Sequence, residues 1–332
     1  MEFKILNTLA GSCCTEARHI LQESGEVVDF DGDQQALAQA MSGFQVVLAG
    51  IGYRFDRHVL ERCPELELLA VVATGLDHVD FDFSKERGIR VIGLAAEEEF
   101  LRKLTATAEL ALGLMISLTR MIPHAFDEVK NGRWERERFR GRMLSGKCLG
   151  IVGLGRLGTL MARYGRSLGM QVVACSPYTK ADVFVSEGVQ PMSLEALCAH
   201  SDFISVHAKL TAETENMFDK RIFNLMRPGV CLINTARGRI VKEADLLDAL
   251  HTGRLGGYAT DVLADEIYFE GKKFPNNALV EYAKTHSNFI VVPHIGGMTY
   301  ESRAAAEIFI ARKIADCIKN FSISGRAKTV GR

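Results

Sequence analysis

Gly153, Gly155 and Gly158 form the run G-L-G-R-L-G directly after the apolar stretch CLGIV. A segment follows in which Leu157, Leu160, Met161, Tyr164 and Leu168 recur at helical spacing. Strand, glycine turn and helix in that order constrain the fold more than any other feature of the chain. The first glycine permits the tight turn, the second lets the backbone approach a pyrophosphate, and the third lets helix and strand pack closely. Unpaired N–H groups of the first helical turn then face the phosphates. With a further apolar run at 171 to 175 the unit reads as βαβ and predicts dinucleotide binding, with Gly153, Gly155, Arg156 and Leu157 as contact candidates.

The same alternation extends over the whole chain. Short Val/Ile/Leu-rich runs near 2–6, 26–30, 45–49, 68–72 and 89–92 alternate with amphipathic segments such as 14–23, and a second series runs near 148–152, 171–175, 202–206, 230–234, 257–261 and 289–292. Fully apolar runs separated by helical patterns predict parallel sheets covered on both faces, hence an α/β protein. The 332 residues suit two such sheets, at roughly 150 residues per domain. Between the series, TATAELALGLMISLTRMIPHAFDEVKNG keeps helical spacing from residue 105 for about seven turns and predicts one long helix bridging two domains. WERERFRG after it reads as an exposed connection or a subunit contact. ESRAAAEIFIARKIADCIKNF reads as a last amphipathic helix, and SGRAKTVGR as a polar tail with nothing left to fold.

Composition narrows the function classes. Lys and Arg total 40 against 41 Asp and Glu, a net charge of -1, so bulk charge gives no reason to expect nucleic acid or an anionic membrane as partner. The eight cysteines include no CxxC pair and no paired Cys/His spacing, so no metal is expected. MEFKILNTLA lacks the charged and apolar regions of an export signal, and free thiols within apolar runs fit a reducing compartment; a cytoplasmic location is expected. The most apolar window, 106–122, is interrupted by Glu109 and Arg120 and reads as a buried helix, not a membrane span.

Three strands of the second series end in reactive side chains. CLIN runs into Thr235, Ala236 and Arg237, GYAT into Asp261 and then Glu266, and FIVV into His294 and Gly296. In an open parallel sheet ligands bind outside the carboxyl ends of the strands, which places Arg237, Glu266 and His294 on one rim with the glycine turn. By the same rule His207, Thr235, Ala236, Asp261 and Gly296 are cofactor-contact candidates. The dinucleotide fingerprint expects an acidic residue at the end of its second strand, where it binds the adenosine ribose and repels a 2′-phosphate. Ser176 stands there, followed by Lys180 and Asp182, so NAD is expected and NADP stays open.

Six stretches, in this order and spacing, resemble the D-specific 2-hydroxyacid dehydrogenase family, which includes phosphoglycerate, glycerate and D-lactate dehydrogenases: GLDHVD at 75–80, ATAELA at 106–111, GKCLGIVGLGRLG at 146–158, NTARG at 234–238, TDVL at 260–263 and PHIGG at 293–297. The resemblance implies a Rossmann cofactor domain, 101–298, inserted in a flavodoxin-like substrate domain formed by 1–100 and 299–332. It implies a small 2-keto or 2-hydroxy acid as substrate, a homodimer joined through the cofactor domain, and Arg237, Glu266 and His294 as catalytic residues. Thr74 and Gly75 resemble the family's carboxylate-binding turn. Lys103 stands near a position that is commonly Asn, and it or Arg102 would meet a second anionic group on the substrate. Glu266 is followed by Ile267 where the family usually has Pro, and the longer stretch to His294 would reshape the pocket.

Those three residue types meet the needs of ketoacid reduction. A guanidinium fork binds the carboxylate or keto oxygen, an imidazole delivers the proton, and a carboxylate beside it favours imidazolium. The same residues also fit two alternatives: a dinucleotide-sensing binding protein like the corepressors that resemble this family, and a dehydrogenase of another small anion such as phosphite.

Overall fold

The computed structural model describes residues 3–266, 269 and 277–329. They fall into two compact units, one of Met1–Lys103 with Thr299–Arg332 and one of Leu104–Met298.

In the first unit five short strands, β1 (Lys4–Asn7), β2 (Glu26–Asp29), β3 (Val46–Ala49), β4 (Leu68–Val71) and β5 (Arg90–Ile92), pair in parallel in the order β2-β1-β3-β4-β5. This is the doubly wound order of flavodoxin-like sheets. β3 and β4 are buried along their whole length, which is why their sequences are unbroken apolar runs. The C-terminal helix Tyr300–Thr329 returns to this unit and packs on β4 and on the helix Thr15–Gln22. Its buried Glu307 accepts a hydrogen bond from the Cys14 backbone N at 2.7 Å and pairs with Arg303 at 2.6 Å. The helical backbone runs past Phe321 to Thr329, where the sequence suggested an unfolded tail. Extending an existing helix adds one hydrogen bond per residue fixed, and no proline interrupts the segment.

The second unit carries seven parallel strands, β6 (Cys148–Val152), β7 (Gln171–Cys175), β8 (Gln190–Pro191), β9 (Phe203–Val206), β10 (Val230–Asn234), β11 (Leu255–Thr260) and β12 (Phe289–Val291), in the order β12-β11-β10-β9-β6-β7-β8. Strand side chains alternate between faces, so Val230 and Leu232 join one core layer while Cys231 and Ile233 join the other. The order reverses between β6 and β9, the topological switch point at which open α/β sheets bind ligands. β8 was not among the expected strands: two residues, one of them proline, carry no apolar run to read.

The long helix expected from residue 105 is two helices, Ala106–Arg120 and Ile122–Lys130. The chain bends by 62° at Met121, which adopts a left-handed conformation with φ 51°. Pro123 explains the break: it has no N–H to donate, and its ring would strike the carbonyl of Thr119, four residues back. That carbonyl accepts from the Arg142 backbone N instead, at 3.3 Å. WERERFRG holds a short 3-10 turn, Arg136–Phe139, with Trp134 85% exposed before it. Among the described residues no single helix is long and apolar enough to cross a membrane.

Candidate active site

β6 ends at Val152, and Gly153 turns the chain at φ 94°. A Cβ there would lie 2.8 Å from the Ala208 backbone N. At Gly158 a Cβ would sit 2.0 Å from the Gly153 carbonyl oxygen, so helix and turn touch backbone to backbone. Gly155 differs: it is the N-terminal cap of the helix Arg156–Ser167, and a Cβ there would meet nothing within 4 Å. The second glycine therefore guards an approach from outside the protein, not a packing contact within it. Arg156, in the first helical turn, donates from Nη1 to the Leu104 carbonyl, and burial lowers its pKa. Leu157 beside it is half-buried.

His207 and Thr235 follow β9 and β10. His207 Nε2 lies 2.9 Å from Ser205 Oγ, and burial pushes the imidazole down to about 4, so this histidine is neutral at physiological pH. His207 Nδ1 and Thr235 Oγ1 are buried without a hydrogen-bond partner. Buried polar atoms are normally satisfied. Two orphans at strand ends near an open glycine turn fit a dinucleotide with polar groups to offer. Ser176, just past β7, places its Oγ 2.8 Å from Thr179 Oγ1; Asp182, exposed, accepts from the Val183 backbone N at 3.0 Å.

β10, β11 and β12 are neighbours, so the residues leaving their C-terminal ends form one group. His294 Nδ1 lies 2.7 Å from Glu266 Oε1, while Glu266 Oε2 accepts from the Leu263 backbone N at 2.9 Å. Side-chain exposures of 31% for His294 and 28% for Glu266 leave the pair half-buried, reachable yet partly desolvated. Burial alone would lower the His294 pKa and the nearby Arg237 charge lowers it too. The Glu266 hydrogen bond and charge, helped by Asp261, outweigh them, and the net shift is upward.

His294 has φ 52°, a left-handed conformation uncommon outside glycine. Asp261 holds it there. The His294 backbone N donates to the Asp261 carbonyl at 2.9 Å, and the backbone N groups of Ile295 and Gly296 donate to Asp261 Oδ1 and Oδ2 at 2.6 and 2.8 Å. Burial pushes the Asp261 carboxyl upward against those two bonds. A Cβ on Gly296 would come within 2.8 Å of Asp261 Oδ2, so a larger residue would crowd the clamp.

Arg237 is fixed through its backbone. Asn234 Oδ1 accepts from the Ala236 backbone N at 3.0 Å, and Asn234 Nδ2 donates to the Arg237 carbonyl at 2.9 Å. Arg237 Nη1 donates to the Ala236 carbonyl at 2.7 Å. The sequence signal for Asn234 is a polar residue closing the otherwise apolar run VCLIN. Glu243, which no sequence motif marks, supports the neighbouring strand end. Its Oε1 accepts from the Ala264 backbone N at 2.8 Å and so steadies the segment that leads to Glu266.

The structure thus brings His294, Glu266 and Asp261 into direct or backbone-mediated contact, with Arg237 close enough for its charge to be felt at the imidazole. Thr74 and Gly75, in the turn after β4, and Lys103, exposed after the helix Glu98–Leu101, belong to the first unit. Ile267, residue 268 and residues 270–276 of the stretch expected to reshape the pocket lie outside the described residues. Among the described residues, no group of three or more His, Cys, Asp or Glu side chains is placed to hold a metal ion.

The chain belongs to the D-isomer specific 2-hydroxyacid dehydrogenase family, whose NAD binding domain matches residues 112–296. It is 31% identical over 306 residues to D-3-phosphoglycerate dehydrogenase of Methanocaldococcus jannaschii, with 92% of this chain and 56% of the relative covered. To the Homo sapiens enzyme of the same name it is 33% identical over 315 residues, with 94% and 56% covered. The chain therefore spans about half the length of these relatives. Among solved structures, D-lactate dehydrogenase from Aquifex aeolicus, complexed with NAD and lactic acid, superposes with a TM-score of 0.82 at 26% identity, covering 99% of this chain and 98% of that one.

Proposed function

We propose that the chain is a dehydrogenase that moves a hydride between a nicotinamide dinucleotide and C2 of a small D-2-hydroxy acid or 2-keto acid. The observation that carries this reading is the 2.7 Å contact between His294 Nδ1 and Glu266 Oε1, on the strand ends beside Arg237. A nicotinamide dinucleotide, when bound, would supply or accept the hydride. His294 donates a proton to the carbonyl oxygen in reduction and removes it from the hydroxyl in oxidation, from Nε2, since Nδ1 is engaged by Glu266. Arg237 binds the substrate carboxylate or keto oxygen through its planar fork and offsets negative charge that develops on that oxygen. Glu266 orients the ring and favours its protonated form.

His207, Thr235, Ala236, Asp261 and Gly296 line the dinucleotide site with the glycine turn. Thr74 and Gly75 would offer backbone N–H groups to the substrate carboxylate, and Lys103 a charge to any second anionic group. The chain would pair as a homodimer through the second unit, where Ile122, Phe126, Val129, Trp134 and Met143 are exposed. The test of the activity is a panel of 2-keto acids offered with NADH and with NADPH while cofactor absorbance is followed. Oxidation of cofactor with at least one acid, yielding the D-hydroxy product, is expected. Tight dinucleotide binding with no turnover across the panel would overturn the reading in favour of a sensor.

Glu266→Gln keeps the shape but removes the charge that raises the His294 pKa, so the pH at which reduction fails on the alkaline side moves down. Oxidation, which needs the unprotonated ring, begins at correspondingly lower pH; an unchanged pair of profiles rejects the assigned coupling. The glycines should separate stability from binding. Gly158→Ala forces a Cβ onto the Gly153 carbonyl and should cost about 1–3 kcal/mol in a denaturant titration. Gly155→Ala, facing open space at φ -86°, should leave the midpoint in place and weaken dinucleotide binding.

A further inference from the structure

We propose that Ser176, Thr179 and Lys180 set the chain's preference for NADPH over NADH, by receiving the phosphate on the 2′ position of the adenosine ribose. The inference rests on the dinucleotide reading above and deepens it by naming which dinucleotide. In a βαβ unit of this kind, the residue that ends the second strand faces that ribose. A carboxylate there accepts hydrogen bonds from two ribose hydroxyls and repels a phosphate in place of one of them. Here β7 ends at Cys175 and the next residue is Ser176.

The loop beyond it is built of donors. Ser176 Oγ lies 2.8 Å from Thr179 Oγ1, and Thr179 Oγ1 reaches the Leu154 carbonyl of the glycine turn at 3.3 Å, which ties the loop to the phosphate-binding turn. Hydroxyl protons rotate: with Thr179 donating to Ser176 Oγ, the Ser176 proton is left for an incoming anion. Lys180 follows as the cap of the helix Ala181–Ser186, and among the described residues neither Lys180 nor Lys209 takes part in an ion pair. Lys209 lies on the loop after β9, which meets this one where Tyr178 Oη donates to Glu213 Oε2 at 2.7 Å.

The carboxylates of this region already hold partners of their own. Asp182 accepts from the Val183 backbone N at 3.0 Å, Glu195 pairs with Arg221 at 3.3 Å, and Glu213 is held by Tyr178. Beside the hydroxyl pair is a hollow of about 400 Å³ lined by Cys175, Ser176, Pro177, Phe184, Met192 and Ser193, mostly apolar and with no charged group in its wall. A phosphate monoester brings about 1.5 to 2 negative charges to this rim. The hydroxyls of Ser176 and Thr179 would receive it, with Lys180 the next residue in the chain, whereas residue 176 offers the ribose of NADH no carboxylate acceptor.

Direct binding to the full chain tests this without reference to turnover. Titrating NADPH and NADH by calorimetry should give a dissociation constant about 10- to 100-fold lower for NADPH, the scale of a hydrogen bond to a charged group. 2′,5′-ADP should displace NADPH where 5′-AMP does not. Ser176→Asp should weaken NADPH and tighten NADH with an unchanged melting temperature, and Lys180→Ala should weaken NADPH alone and flatten its salt dependence. NADH binding as tightly as NADPH, or an unchanged ratio in Ser176→Asp, overturns the assignment while leaving the dinucleotide reading intact. Failure of both dinucleotides to bind overturns both.

Discussion

His294→Asn should lower kcat for ketoacid reduction by about 10²- to 10⁴-fold, the span that a positioned general acid usually supplies. Asparagine is chosen because the site asks two things of residue 294. The backbone must accept φ 52°, which Asn tolerates better than most residues, so the loop clamped by Asp261 stays in place. The side chain must deliver a proton, which an amide cannot do near neutral pH. Dinucleotide affinity, measured by calorimetry, should therefore be nearly unchanged while turnover collapses. Near-normal turnover would remove His294 from the chemistry.

The second large effect is expected at Arg237. Arg237→Lys keeps the positive charge and loses the planar fork, and kcat/KM should fall by about 10²- to 10³-fold, the usual cost of removing a donor aimed at developing negative charge. The fold should not suffer, because the turn is held by Asn234 on the backbone and by Gly238, where a Cβ would strike the Leu263 carbonyl carbon at 2.1 Å. The effect should fall on substrate, not cofactor: KM for the keto acid rises with kcat falling, and the dinucleotide dissociation constant holds. Guanidine added to Arg237→Ala should restore part of the loss. A lysine variant with unaltered kcat/KM would mean that charge alone suffices.

Much of this arrangement is written in the chain because parallel sheets convert local order into spatial neighbourhood. Once NTARG, TDVL and PHIGG each follow an apolar run, the adjacency of β10, β11 and β12 brings Arg237, the Glu266 segment and His294 to one edge. What stayed hidden depends on contacts that cross the sequence. Helical periodicity continued through Met121 because the apolar spacing survives the break; only the weight of Pro123 against the Thr119 carbonyl reveals the 62° bend. β8 leaves no trace in the sequence because two edge residues carry no pattern.

Asp261 is the instructive intermediate case. Its place at a strand end marked it as a cofactor contact, yet both of its oxygens are bonded to backbone N–H groups of the loop that presents His294. No spacing rule announces that use, because the partner amides lie more than thirty positions away and become neighbours only through the β11–β12 pairing.

The most direct measurement is a site-resolved titration of the imidazole at position 294, by nitrogen or carbon NMR on selectively labelled protein. In the wild-type chain its pKa should lie above that of an ordinary histidine, and in Glu266→Gln it should drop toward or below that value. An imidazole that titrates in the ordinary range in both proteins would contradict the account.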